Sequence, residues 1–230
     1  MGNTNPLSPK VTRSFLLGWV FANLVGLPAL LLPYPISFFL LGSFAIIVDG
    51  MPIGSMGYTF ICTILALSGA VIGAWLGWMQ SLPLKAQLMQ SGKWIRASAL
   101  GVAIGAPLGW LVYTWLLESP IVNRPDRINS IYFAAGYAYL IFGVLLGLAI
   151  GVAQWSVLRR HIHGAGWWMI VLPVCFTLGV LFTNFYMSNT QLLDWFVMFS
   201  PLTALVGVGS ITGILLGWLL QSPKTQREGQ

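Results

Sequence analysis

Residues 69–84 read GAVIGAWLGWMQSLPL, and residues 143–158 read GVLLGLAIGVAQWSVL. Each stretch sets a glycine at every fourth position, Gly69, Gly73 and Gly77 in one and Gly143, Gly147 and Gly151 in the other. A glutamine follows three residues on, Gln80 or Gln154, and then a leucine, Leu84 or Leu158. Neither stretch carries a charge. Positions four apart share one face of a helix. A face of glycines lets two helix backbones approach closely, which matters where lipid gives apolar side chains no reason to associate. Uncharged apolar helices with a glycine face belong in a bilayer, and that reading decides the fold class.

The two stretches are one pattern displaced by a constant offset of 74 residues (143 − 69, 147 − 73, 151 − 77, 154 − 80, 158 − 84). The same offset carries Trp94 onto Trp168 and Gly105 onto Gly179. Each unit therefore reads as a helix, a short basic loop and a returning helix. The returning helix of the first unit has its own glycine face in Gly101, Gly105 and Gly109. Near the C-terminus, Gly209, Gly213 and Gly217 precede Trp218, Gln221 and Pro223. They echo Gly77, Trp78, Gln80 and Pro83 with the glutamine slipped by one, so that Leu220 stands at its spacing. Near the N-terminus, Trp19 and Gly26 are spaced like Trp94 and Gly101. The expectation is an all-α integral membrane protein, a single domain over 1–230. Its units run about 57–117 and 131–187, with a split third unit of 196–221 plus 14–34. Three hairpins with one topology imply a pseudo-threefold axis along the membrane normal.

Composition agrees. Of the 230 residues, 57% are hydrophobic and 7% are charged, against roughly 25% charged in soluble domains. Too few charges remain to build a wetted surface. Six spans are expected: Phe15–Tyr34, Tyr58–Ser81, Ile95–Leu117, Ile131–Leu158, Trp167–Tyr186 and Phe196–Gln221. Ile36–Val48 is too short to cross and reads as an interfacial or re-entrant segment on the outer side. With six spans, Lys10, Arg13, Lys85, Lys93, Arg96, Arg159, Arg160, Lys224 and Arg227 fall on one side, and only Arg124 and Arg127 on the other. The positive-inside rule then makes both termini cytoplasmic, in a bacterial plasma or thylakoid membrane. On this reading the net charge of +6 reflects topology rather than a nucleic-acid partner.

The run of small residues every fourth position, then glutamine, then Leu-Arg-Arg and a tryptophan-led return helix is best seen in Gly147–Arg160 followed by Trp168. It resembles multi-pass membrane proteins of cyanobacteria and Chloroflexota over about residues 69–181. That resemblance implies the helical-hairpin architecture and brings no activity with it.

Candidate chemistry is sparse. Gln80 and Gln154 end the first helix of each hairpin, where their amides suit capping of the loop, bonding to each other, or contact with a pigment or lipid headgroup. Arg159, Arg160, His161 and His163 form a basic loop suited to anionic headgroups. Two histidines one residue apart lack the further ligands a metal needs, so no metal and no cofactor are expected. Cys62 and Cys175 read as small apolar core residues. Trp94, Trp167, Trp168, Trp195 and Trp218 read as interfacial belts, and Trp75 and Trp110 as core. Asn23, Thr59, Thr63, Ser98, Thr177 and Asn184 are the main polar groups inside the spans, and the Thr and Ser hydroxyls can bond their own helix backbone, so they need no ligand. No span carries an acid or base at mid-depth, where proton relays and coupling-ion sites put one. The functional expectation is a non-enzymatic accessory or scaffold component of a membrane assembly. Its partners are lipids, other membrane subunits or pigment, and no nucleic acid. The alternative is a transporter or channel for a neutral or lipidic solute.

Overall fold

The computed structural model describes residues 13–25, 55–85, 91–118, 128–162, 164–189 and 194–221. They form six α-helices, with no strand among the described residues: α1 (Arg13–Val25), α2 (Ser55–Leu84), α3 (Ser91–Glu118), α4 (Ile128–Leu158), α5 (Trp168–Asn189) and α6 (Asp194–Gln221). Helices cover five of the six expected ranges, with ends moved by a few residues. The sixth, Phe15–Tyr34, is described only as far as Val25. The segment Ile36–Val48, Arg124, Arg127, His163, Lys224 and Arg227 lie outside the described residues.

The helices close into a ring. Each packs on its neighbours in the chain, and α1 fits between α6 and α2. Glycine sets the closest approaches. A Cβ on Gly73 would stand 2.8 Å from Ala99 Cα, one on Gly101 2.6 Å from Ile150 Cα, and one on Gly147 2.6 Å from Pro173 Cα. Gly69 and Gly77 likewise meet α3, Gly105 and Gly109 meet α4, and Gly151 meets α5. Gly209 and Gly213 meet Asn23 and Trp19 of α1. Pro173 stands inside α5, and Gly147 leaves the room that its ring needs.

Outside the ring the surface is apolar. On α2 the exposed stripe is Leu67, Val71, Trp75, Trp78 and Leu82; the buried stripe is Gly69, Gly73, Gly77, Ser81 and Leu84. Leu100, Ile104, Leu108, Leu111 and Trp115 on α3 and Ile141, Val144, Leu148 and Val152 on α4 repeat the outward apolar stripe. α5 does so with Ile170, Val174 and Leu178, and α6 with Ile211, Ile214 and Trp218. Water would penalise such stripes at about 25 cal/mol per Å²; hydrocarbon would not. Three helices are long and apolar enough to cross a membrane: Gly57–Leu84, Ser91–Leu116 and Leu140–Leu158.

The tryptophans differ from expectation. Trp94 and Trp168 are 2% and 1% exposed and lie in the core, not in a belt. Trp75, expected in the core, is outward-facing beside Trp78, with ring centroids 5.3 Å apart. In a helix apolar all round, hydropathy carries no sign of which face meets lipid. Trp167 and Trp218 are exposed, at 54% and 57%.

Candidate functional site

Three indoles fill the ring near one end. Trp19 of α1, Trp94 of α3 and Trp168 of α5 are all buried. Their ring centroids are 6.2 Å (Trp19–Trp94), 6.1 Å (Trp94–Trp168) and 6.3 Å (Trp19–Trp168) apart, each pair edge to face. That geometry sets the positive edge of one ring against the negative face of the next.

An indole N–H only donates, so each needs an acceptor, and the helix before it in the ring supplies one. Trp94 Nε1 donates to Gln80 Oε1 of α2 at 3.3 Å, and Trp168 Nε1 to Gln154 Oε1 of α4 at 2.8 Å. Trp19 Nε1 donates to Thr212 Oγ1 of α6 at 3.1 Å, and that hydroxyl passes its own proton to Val208 O at 2.7 Å. The donor-only indoles fix the amides. With its oxygen toward Trp94, Gln80 must present nitrogen elsewhere, and Nε2 donates to Asn23 Oδ1 of α1 at 2.9 Å. Asn23 Nδ2 then donates to Trp19 O at 2.8 Å. By the same logic Gln154 Nε2 donates to Ser98 Oγ of α3 at 2.9 Å, with a longer reach to Gln80 Oε1 at 3.4 Å. One continuous network therefore joins all six helices. The two bonds beyond 3.2 Å fall outside the usual range and contribute less.

Tyr58 and Gln80 are 22 positions apart on α2 (80 − 58), about 33 Å at 1.5 Å per residue. The apolar core of a bilayer is about 30 Å thick, so Tyr58 and the hub stand about one such thickness apart, towards opposite edges of the bundle's apolar length. Charge gathers at the hub's edge. Lys85, Lys93, Arg96, Arg159 and Arg160 are exposed there, and the Arg159 guanidinium lies 4.8 Å over the Trp155 ring. None of the described side chains is acidic. The turn from α4 to α5 carries Arg159, Arg160 and His161, is anchored by buried Ile162, and bends at Gly164, whose φ of 78° suits glycine. Among the described residues, two buried side-chain atoms have no hydrogen-bond partner, His161 Nε2 and Thr177 Oγ1. No group of three or more metal-ligating side chains occurs among the described residues.

The structure brings together Gln80 and Gln154 but leaves Arg159, Arg160 and His161 outside the hub. Thr212 was missed because glycine spacing pointed to Leu220 or Gln221. Ser98, expected to bond its own helix, accepts from Gln154 of α4, and Asn23 accepts from Gln80 of α2 while also bonding its own helix at Trp19 O. The signal that marks both is a polar residue four positions after a tryptophan, as in Trp19/Asn23 and Trp94/Ser98.

No family model matches the chain, and no solved structure does. Among curated proteins, one named "Putative 3-methyladenine DNA glycosylase", from Synechococcus elongatus, is 35% identical over 79 residues. The matched part is 34% of this chain, and the chain spans 40% of the length of that relative. This likeness corrects three expectations: a non-enzymatic scaffold with a solute path as its alternative, the absence of enzyme activity, and the absence of a nucleic-acid partner. The matched protein bears the name of an enzyme acting on DNA. The physical reason for the error lies in the basic loops. Topology alone accounts for their charge, yet cations at the mouth of a bundle attract nucleic-acid phosphate by the same Coulombic force as anionic lipid.

Proposed function

We propose that the chain is a multi-pass membrane protein that acts on DNA at its basic end, with N-glycosidic base release as the reaction class. The observation that carries the membrane half is the outward apolar stripe on helix after helix. On this reading six spans surround the tryptophan hub as three like hairpins about a pseudo-threefold axis, the glycine stripes are their packing faces, and both termini are cytoplasmic. The kinship implied by the hairpin pattern with cyanobacterial and Chloroflexota membrane proteins belongs to the same reading. The DNA half is supported by the relative's name and by the five exposed cations at one end. A positive-inside orientation puts that end in the compartment that holds the chromosome.

Lys85, Lys93, Arg96, Arg159 and Arg160 are the groups for phosphate. Glycosylases extrude the target nucleotide from the stack, and the Trp155–Arg159 pair offers an aromatic and cationic surface at that rim. No catalytic residue is assigned. The acidic residues suited to general acid–base work, Asp49, Glu118, Asp126, Asp194 and Glu228, have side chains outside the described set.

The test uses the full chain in lipid nanodiscs with alkylated duplex DNA. Binding should weaken with salt, and Lys93→Gln with Arg96→Gln should lower the log–log salt slope by about 1 for each phosphate no longer neutralised. Free 3-methyladenine should appear in the supernatant. DNA binding indistinguishable from that of empty nanodiscs, with no base released, contradicts the DNA half and leaves the membrane half standing.

A further inference from the structure

The hub is not equally riveted all round, and the difference has a consequence for how the ring opens. Indole bonds close three seams, α2–α3, α4–α5 and α6–α1, and an amide bridge closes two more. Gln80 of α2 reaches Asn23 of α1, and Gln154 of α4 reaches Ser98 of α3. Asn23 and Ser98 each stand four residues after the hub tryptophan of their helix. The matching position on α5, four after Trp168, is Leu172. The matching acceptor on α6 is Thr212, whose hydroxyl proton goes to its own helix at Val208 O. At hub level the α5–α6 seam thus pairs a leucine with a hydroxyl already committed elsewhere. The described close-approach glycines of α6 do not compensate, because Gly209 and Gly213 face Asn23 and Trp19 of α1.

In a bilayer this difference decides which seam parts. Lipid tails are as apolar as leucine, so exchanging a helix–helix apolar contact for a lipid contact costs little. Separating α1 from α2 or α3 from α4 breaks a hydrogen bond to a buried polar side chain, and an unsatisfied buried polar group is costly. We propose that α5 and α6 form the lateral opening of the bundle, hinged on the Trp19–Thr212 bond that keeps α6 attached to α1. The proposal rests on the membrane reading above and is independent of DNA. In the closed state α6 packs against α5. In the open state α6 tilts away from α5 about α1, and the Trp19–Trp168 edge of the hub becomes reachable from the bilayer.

The test is pulsed electron–electron spin resonance on the chain in lipid nanodiscs, with both native cysteines replaced by alanine. One sample carries spin labels at Val174 and Ile211, the other at Ile104 and Val144, all outward positions. The α5–α6 pair should give a distribution that is broad or has two populations, and the α3–α4 pair a narrow one. Installing the missing bridge with Leu172→Asn and Thr212→Gln should collapse the α5–α6 distribution to a single narrow population. Equal widths for the two unmodified pairs overturn the proposal, as does a broad α5–α6 distribution that survives the bridge in a protein whose α3–α4 pair stays narrow. Failure of the chain to incorporate into nanodiscs at all contradicts the membrane reading instead.

Discussion

Gln154, like Gln80, makes three bonds in the hub. It accepts from Trp168, donates to Ser98 and reaches toward Gln80. Gln154→Leu keeps the volume but leaves a buried indole N–H without its acceptor, a loss of about 1–3 kcal/mol. Thermal unfolding in detergent should show a clear fall in midpoint. Trp168→Phe separates the two parts of the tryptophan's role. It keeps an aromatic ring against Trp19 and Trp94 but leaves buried Gln154 Oε1 without its donor, and it should cost about 1–3 kcal/mol. Trp168→Ala should cost about 3–5 kcal/mol through the cavity it opens. If Trp168→Phe were as damaging as Trp168→Ala, the hydrogen bond rather than the packing would be the main contribution. At this scale the sequence was half legible. The displaced Gln80/Gln154 and Trp94/Trp168 pairs stood out because both members are large and polar-tipped. Thr212 did not, because threonine inside an apolar helix ordinarily bonds its own backbone, as this one also does.

Helices α2 to α5 were readable nearly to their ends, because long uncharged runs bounded by charges and prolines leave few alternatives. Their rotation about their own axes was less so. Gly73 and Gly77 lie on the buried face of α2, while Trp75, two positions from Gly73, faces outward. The glycines themselves offer a contrast. Gly147→Leu forces bulk against the Pro173 backbone, where even a Cβ would stand 2.6 Å from Pro173 Cα. Overpacking of this kind costs about 1–3 kcal/mol. Gly92, in the first turn of α3, has nothing within 4 Å of the point a Cβ would occupy. Gly92→Ala should therefore raise stability by about 0.4–1 kcal/mol, by restricting the unfolded chain. Chemical denaturation of the two variants beside the parent protein checks both signs. A neutral Gly147→Leu would mean that α4 and α5 separate without cost.

For the molecule as a whole, the decisive physical fact is the inverted surface. Leucine, isoleucine and valine face out along helix after helix, and the polar hub faces in. Composition already required this, since 7% charged residues cannot clothe a bundle in water. Function was far less legible, because apolar spans are selected by lipid whatever the protein does, and the informative charges are confined to short loops. In the proposed function, orientation across the membrane is what links the architecture to DNA on the cytoplasmic side. The most direct test places single cysteines at Gln90 and at Asn123, in a background with Cys62→Ala and Cys175→Ala, and treats intact cells with a membrane-impermeant maleimide. Position 123 should be labelled from outside, and position 90 only after the cells are permeabilised. Labelling of position 90 in intact cells, or equal labelling of both, would contradict a membrane-spanning bundle with its basic end in the cytoplasm.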